Sequence, residues 1–230
     1  MYGAIRKIQP SASEEVAAKL ETVETGGTVS VEIKKNEIIT ADVFEKARDK
    51  KATIVIETSN GAVWTIKGSD ITGTSLKDID FTVEKVENVI PNNAISEVAL
   101  DGEKIELSLA HTGEFGFKAE LKLNLDSKNK DKYANLFYYN PNTGKLEFMQ
   151  SVKIDKDGLA GFEYTHASDY AIIISENKYE VVTDNGDTDS KTQVKAPLTG
   201  DTTNVSSIII VMLLSISVFG AIFIKKRAYK

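Results

Sequence analysis

Residues 208–224 form an unbroken apolar run, IIIVMLLSISVFGAIFI, followed at once by Lys225, Lys226 and Arg227. Roughly 17 residues at ~1.5 Å per residue is the lower limit for a helix crossing the hydrocarbon core of a bilayer. The run carries no charge, and its polar side chains, Ser215 and Ser217, can bond back to backbone carbonyls. A helix buried in a protein core has one polar face, whereas this one is apolar all round. The expected element is a C-terminal transmembrane helix with a basic stop at 225–230. A chain so terminated must place its remaining 200 or so residues at a membrane.

The residues before the run are Ala196, Pro197, Leu198, Thr199, Gly200 and Asp201, then a short polar spacer. Motif 196–201, helix 208–224 and basic tail 225–230 together resemble the cell-wall sorting signal of Gram-positive surface proteins. In that family a sortase cysteine attacks the Thr carbonyl of a Pro-x-Thr-Gly motif and passes the protein to an amine of the wall precursor. The resemblance implies cleavage between Thr199 and Gly200, with sortase and the peptidoglycan precursor as partners. Pro197 pre-bends the peptide and Gly200 leaves the scissile amide unobstructed. Lys225, Lys226 and Arg227 would act as the stop-transfer cluster. The family's usual first residue is Leu; Ala196 stands there instead, which bears on the class of sortase that reads the motif.

Composition limits what the rest can be. The chain has no cysteine, so disulfides and Cys-ligated metals are excluded. Setting aside Asp201 and the four basic residues Lys225, Lys226, Arg227 and Lys230 leaves 24 basic against 33 acidic residues, a net charge of −9 for residues 1–200. That balance argues against nucleic acid as a partner. Residues 1–10, MYGAIRKIQP, have no apolar stretch of a secretory signal. An extracellular body is expected all the same, because residues 199–207 carry no basic charge and the basic cluster follows the helix. The expectation is a C-terminal portion of a longer exported protein, anchored to the wall or the membrane.

Hydropathy patterning divides the chain into four: an N-terminal segment 1–27 with a short helix, a β-sandwich module 28–175, a flexible stalk 176–195 and the sorting signal 196–230. Ser11 with Glu14 makes a capping box for a helix over 11–21, and Gly26 and Gly27 end it. Thr40 stands as N-cap of a second helix, 41–50, expected to be the one embedded in the body. Period-two alternation predicts strands at 28–33, 53–58, 62–67, 79–86, 104–111, 117–125, 136–140, 145–150, 152–154, 160–165 and 170–175. Asn60 and Gly61 mark a tight hairpin, residues 141–144 and 155–158 further turns, and the nearly continuous apolar run 170–175 a central strand. The fold class is therefore all-β: a sandwich of about ten short strands with one or two short helices. Residues 39–174, through ITADVFEKARDK, YYNPNTGKLEF and THASDYAIII, also resemble β-rich domains that precede sorting signals in clostridial surface proteins. This resemblance implies an extracellular module.

Candidate chemistry in the body is sparse. His111 and His166 are the two histidines, without the spacing of a metal motif, and read as locally bonded at strand ends. His166 and Ser168 are similar to the His-x-Ser/Thr segment of self-cleaving domains, where the imidazole would activate the hydroxyl and the bond between Ala167 and Ser168 would break. The plainer reading has Ser168 and Asp169 bonding the backbone of a β-turn. Trp64, Tyr138, Tyr139 and Tyr164 could form a sugar-stacking platform, although Trp64 alternates as a core residue should. Asp155, Asp157 and Gly158 lack the register and the bidentate Glu of a calcium loop. A lysine–asparagine crosslink and a glycosidase carboxylate pair leave no local spacing. No metal or cofactor is expected. The first function expected is a non-enzymatic structural or presenting module on the cell surface; the alternative is an adhesin-like module binding a host or environmental glycan or a protein, held by its membrane helix alone.

Overall fold

Ser11 starts the first helix as the sequence predicts: its hydroxyl accepts from the Glu14 N–H while the Glu14 carboxylate accepts from the Ser11 N–H. The computed structural model describes residues 10–99, 102–183 and 192–195. Helix α1 (Ala12–Thr22) buries Val16 and Leu20 in the core, so it belongs to the body and is not a separate N-terminal segment. Strands β1 (Thr28–Ile33) and β2 (Ile38–Ile39) lead to α2 (Ala41–Lys50). Thr40 is at the N-cap position, but its hydroxyl donates to Asp42 and the Ala41 N–H is met by Asp78 instead. Then come β3 (Thr53–Thr58), β4 (Val63–Ile71), β5 (Ile79–Asp80), β6 (Val83–Val86), α3 (Asn92–Ala99) and β7 (Glu103–Asn124). A short 3-10 turn (Ser127–Asn129) precedes β8 (Tyr133–Asn140), β9 (Lys145–Lys153), β10 (Leu159–Ser175), β11 (Glu180–Thr183) and β12 (Thr192–Lys195).

The body is mostly sheet with three short helices. One hydrogen-bonded sheet runs β1-β3-β4-β7-β10-β8-β9, with β6 added to β7. β1 and β3 are parallel and joined through α2; the other pairs are antiparallel. Helix α2 lies so close to β4 that a Cβ at Gly68 would sit 2.1 Å from the Ala47 carbonyl oxygen. Two of the predicted strand pairs prove continuous. Residues 104–111 and 117–125 are one strand, β7, and 160–165 and 170–175 are one strand, β10. They pair twice, with register shifts between Tyr164 and His166 and between Ala167 and Asp169. Gly113 (φ 91°) and Gly116 (φ 82°) lie on the facing part of β7. Positive-φ glycines and bulges bend paired strands without breaking them. The sheet thus folds over itself at this corner, an arrangement consistent with a β-sandwich.

The faces brought together share one core. Trp64, Phe81, Phe115, Tyr164 and Tyr170 sit there with Phe44 of α2 and Val16 and Leu20 of α1. A second, smaller cluster covers the opposite face of β8 and β10: Phe137, Leu146, Ala171 and Ile173 pack against Ala94, Ile95 and Val98 of α3. Burial on both faces is why β10 ends in a continuous apolar run. The predicted strand 79–86 is two strands, and Thr82 between them turns its hydroxyl to accept the Asn36 N–H.

The stalk boundary moves as well. Tyr179 is 3% exposed and belongs to the second cluster. β11 and β12 pair as an antiparallel two-stranded sheet with Glu180 opposite Lys195. The expected flexible stalk 176–195 therefore contains a core residue and a hairpin. The motif Ala196, Pro197, Leu198, Thr199 and Gly200, the run 208–224 and Lys225, Lys226 and Arg227 lie outside the described residues.

Candidate functional site

At the sheet corner, β8 and β10 bring together Tyr138, His166, Ser168 and Tyr170. The Tyr138 ring meets the His166 ring edge-on at 4.9 Å, and the Tyr170 ring lies 5.7 Å from the same imidazole. The Tyr170 hydroxyl donates to the His166 carbonyl oxygen at 2.8 Å. Burial pushes the Tyr138 phenol up, and Glu147 adds to it, while the Ser168 hydroxyl acts the other way. The segment is bulged strand and not the expected β-turn: Ala167 pairs with Gly113, and Asp169 accepts from the Ser108 hydroxyl at 2.8 Å. The left-handed backbone positions among the described residues do not include His166, Ala167 or Ser168. A self-cleaving bond needs a strained carbonyl, and neither a left-handed residue nor a cis peptide marks the bond between Ala167 and Ser168. The His166 ring packs between Tyr138 and Tyr170 at this corner.

Burial lowers His166 below the ordinary histidine value, with Glu114 opposing. Burial also lowers His111, helped by Lys77 and opposed by Glu114 and Asp80. The unfolded chain, at the ordinary value of 6.5, takes up protons first as pH falls. The stability held by the neutral rings is present above about pH 6.5 and is lost as pH drops through the lower folded-state values. Thermal melting should therefore fall between pH 7 and pH 5. A His111→Gln, His166→Gln double variant should lose less melting temperature over the same interval, as differential scanning calorimetry would measure.

The four aromatic residues do not make a platform. Trp64 and Tyr164 are buried in the main core, their rings 5.6 Å apart. Tyr138 packs against the main core and Tyr139 against the second cluster, as neighbours on a strand with opposite faces must. A sugar-stacking surface built from these four is ruled out.

The turn at 155–158 is closed by its own backbone. Asp155 Oδ1 accepts from the Asp157 N–H at 2.9 Å and the Leu159 N–H at 2.8 Å, and these donors hold its carboxyl below the usual range. Gly158 (φ 81°) is pressed so near Asp126 that a Cβ there would lie 2.4 Å from its carbonyl carbon. Among the described residues no group of three or more His, Asp or Glu side chains could hold a metal ion. The buried polar side chains among the described residues are Ser13, Thr58, Thr82, Glu106, Asn129 and Asn135, with no lysine for an amide crosslink.

A cleft of about 830 Å³ opens between the Asn60 turn, β6 and the Asp126 turn, lined by Ile105, Leu107, Leu123 and Leu125. Its Glu103 and Asp126 carboxylates are both bridged by Lys128, at 3.5 and 3.8 Å, and Lys85 donates to the Asn124 carbonyl at 2.9 Å.

Two buried polar groups escape the sequence reading. Glu106 accepts the Val89 and Ile90 N–H groups at 2.9 and 3.0 Å, fixing the entry to α3. Asn135, fully buried, donates to the Ile173 carbonyl and the Ser175 hydroxyl, and accepts from the Ser151 hydroxyl and the Tyr179 N–H. Glu106 alternates with Ile105 and Leu107, where a polar residue reads as solvent-facing, and Asn135 lies just before the predicted strand 136–140.

Among the described residues no helix is long and apolar enough to cross a membrane. No family model and no solved structure matches the chain. An amylopullulanase of Thermoanaerobacterium thermosulfurigenes is 21% identical over 180 residues, covering 76% of this chain and 9% of that protein. The chain thus spans about a tenth of the length of the curated relative it matches.

Proposed function

We propose that the protein is a non-enzymatic structural or presenting module of a Gram-positive cell surface, joined covalently to peptidoglycan after sortase cleaves between Thr199 and Gly200. The observation that carries this reading is the tail itself: Pro197, Leu198, Thr199 and Gly200, then the apolar run 208–224, then Lys225, Lys226 and Arg227, in the order and spacing of a sorting signal. The helix would hold the substrate at the outer membrane face until the enzyme captures it, and the basic cluster would stop it from slipping through. The similarity to a small part of an amylopullulanase supports an accessory module, since a tenth of such a chain is little beside the whole. A sheet-rich body, consistent with a β-sandwich, suits a load-bearing module.

Expressed behind a signal peptide in a host with a matching sortase, the protein should be released by muramidase and not by detergent. Thr199→Ala should abolish muramidase-dependent release, because the residue whose carbonyl reacts is no longer recognised. If detergent alone frees wild-type protein with residues 208–224 attached, the tail is a membrane anchor only.

A further inference from the structure

Asn60 and Gly61 close the hairpin between β3 and β4, with Gly61 at φ 82°. The Gly61 N–H donates to the Thr58 carbonyl oxygen and the Thr58 N–H to the Ala62 carbonyl oxygen, both at 2.9 Å. The Asn60 side chain reaches beyond this hairpin: its Nδ2 donates to the Val83 carbonyl oxygen of β6 at 2.6 Å. Its Oδ1 lies 2.6 Å from the Thr58 hydroxyl and 3.4 Å from the Ala62 backbone nitrogen. β4 pairs with β7 between Phe117 and Lys122, whereas β6 pairs with it between Glu106 and Leu109. Asn60 is thus a tie between two strands that β7 holds on either side of its bend. Asn60 and Val83 both line the cleft of about 830 Å³.

We propose that Asn60 is a site of spontaneous amide hydrolysis, held shut by the fold while β6 stays pinned, and that reaction there removes the pin for good. An asparagine followed by glycine carries its own nucleophile, because no side chain shields the next backbone nitrogen. When the Gly61 nitrogen gives its proton to a solvent base, it can add to Asn60 Cγ. The bond from Cγ to Nδ2 then breaks, and Nδ2 takes a proton and leaves as ammonia. Water opens the resulting five-membered imide at either carbonyl, giving aspartate or isoaspartate, so one water enters and one ammonia departs. In the folded chain the Gly61 N–H is committed to Thr58 and the Asn60 amide to Val83, and both bonds must break before ring closure. The product carboxylate is ionised at neutral pH. It sets an acceptor against the Val83 carbonyl oxygen where the amide had set a donor. Isoaspartate also adds a methylene to the backbone of the turn. Neither product regains the amide in water, so the tie between the hairpin and β6 is lost once.

The full-length chain is incubated in mildly alkaline buffer, folded in one arm and unfolded by guanidinium chloride in the other, and then cut with trypsin. Peptide 52–67 has Asn60 as its single side-chain amide, so a gain of one mass unit reports this site alone. Asn185–Gly186, the second Asn-Gly pair of the chain, falls in another peptide. Asn60 should convert at least about tenfold more slowly in the folded arm, the factor to which two hydrogen bonds of ordinary net worth amount. An Asn60→Asp variant carries the product from the start. Its amide hydrogens at Val83–Val86 should exchange several-fold faster than those of wild type, as hydrogen–deuterium exchange with mass spectrometry would measure. Equal conversion in the two arms, or faster conversion in the folded one, overturns the protection. No conversion in the unfolded arm overturns the site itself. Unchanged exchange in the Asn60→Asp variant overturns the pin, whatever the conversion rates.

Discussion

Replacing Trp64 with alanine should destabilise the body by roughly 3–5 kcal/mol, the range for emptying a buried aromatic site. Trp64 is 1% exposed on β4, and its Nε1–H donates to the Phe81 carbonyl at 2.9 Å. Its ring makes edge contacts with Phe81, Phe115 and Tyr164, at 5.4, 6.0 and 5.6 Å. These partners come from β7, β10 and the connection between β5 and β6, so the side chain ties these segments together. The loss combines a cavity with an unpaired carbonyl. Trp64→Phe should lose less, since most of the packing stays and the hydrogen bond goes. Because Trp64 is the single tryptophan, urea unfolding should be followed by circular dichroism.

Asn135→Leu should cost roughly 3 kcal/mol, from stranding buried backbone groups at ~1–3 kcal/mol each. The Ile173 carbonyl loses the donor it has from Asn135 at 3.0 Å, and the Tyr179 N–H loses its acceptor at 3.1 Å. The effect should be local as well as global. Among the described residues Tyr179 is the last side chain in the second cluster, and Lys178 beside it is exposed. Limited trypsin digestion should cut after Lys178 several-fold faster in the variant than in wild type. An unchanged cutting rate would mean that the aromatic contacts of Tyr179 hold the segment without Asn135.

What could be read in the sequence was local and redundant. Ser11 and Glu14 announce a helix start through two reciprocal bonds, and both form. Asn60 and Gly61 supply a turn, with Gly61 at φ 82°. The apolar run 170–175 announces a strand buried on both faces, which the second cluster explains. What could not be read depends on distant partners. Gly113 and Gly116 look like the end of one strand and the start of another, but β10 pairs across them and turns them into a bend. α3, with eight residues, is too short for helical periodicity to stand out. Tyr179 follows Glu176, Asn177 and Lys178, so the polar setting hides its core position. The candidate site divides the same way. Trp64 alternates as a core residue should, whereas the pairing of Glu103 with Lys128, 25 residues on, exists in three dimensions alone. The proposed sorting signal rests on a contiguous motif, and contiguous motifs need no fold to be read.

The most direct measurement is the mass of the C-terminal peptide of protein released from cell walls by muramidase. The account predicts a chain that ends at Thr199, its carbonyl amide-linked to a wall-peptide amine, with Gly200 and everything after it gone. A peptide continuing through Gly200 into residues 208–224, or one ending at any bond other than that between Thr199 and Gly200, would contradict it.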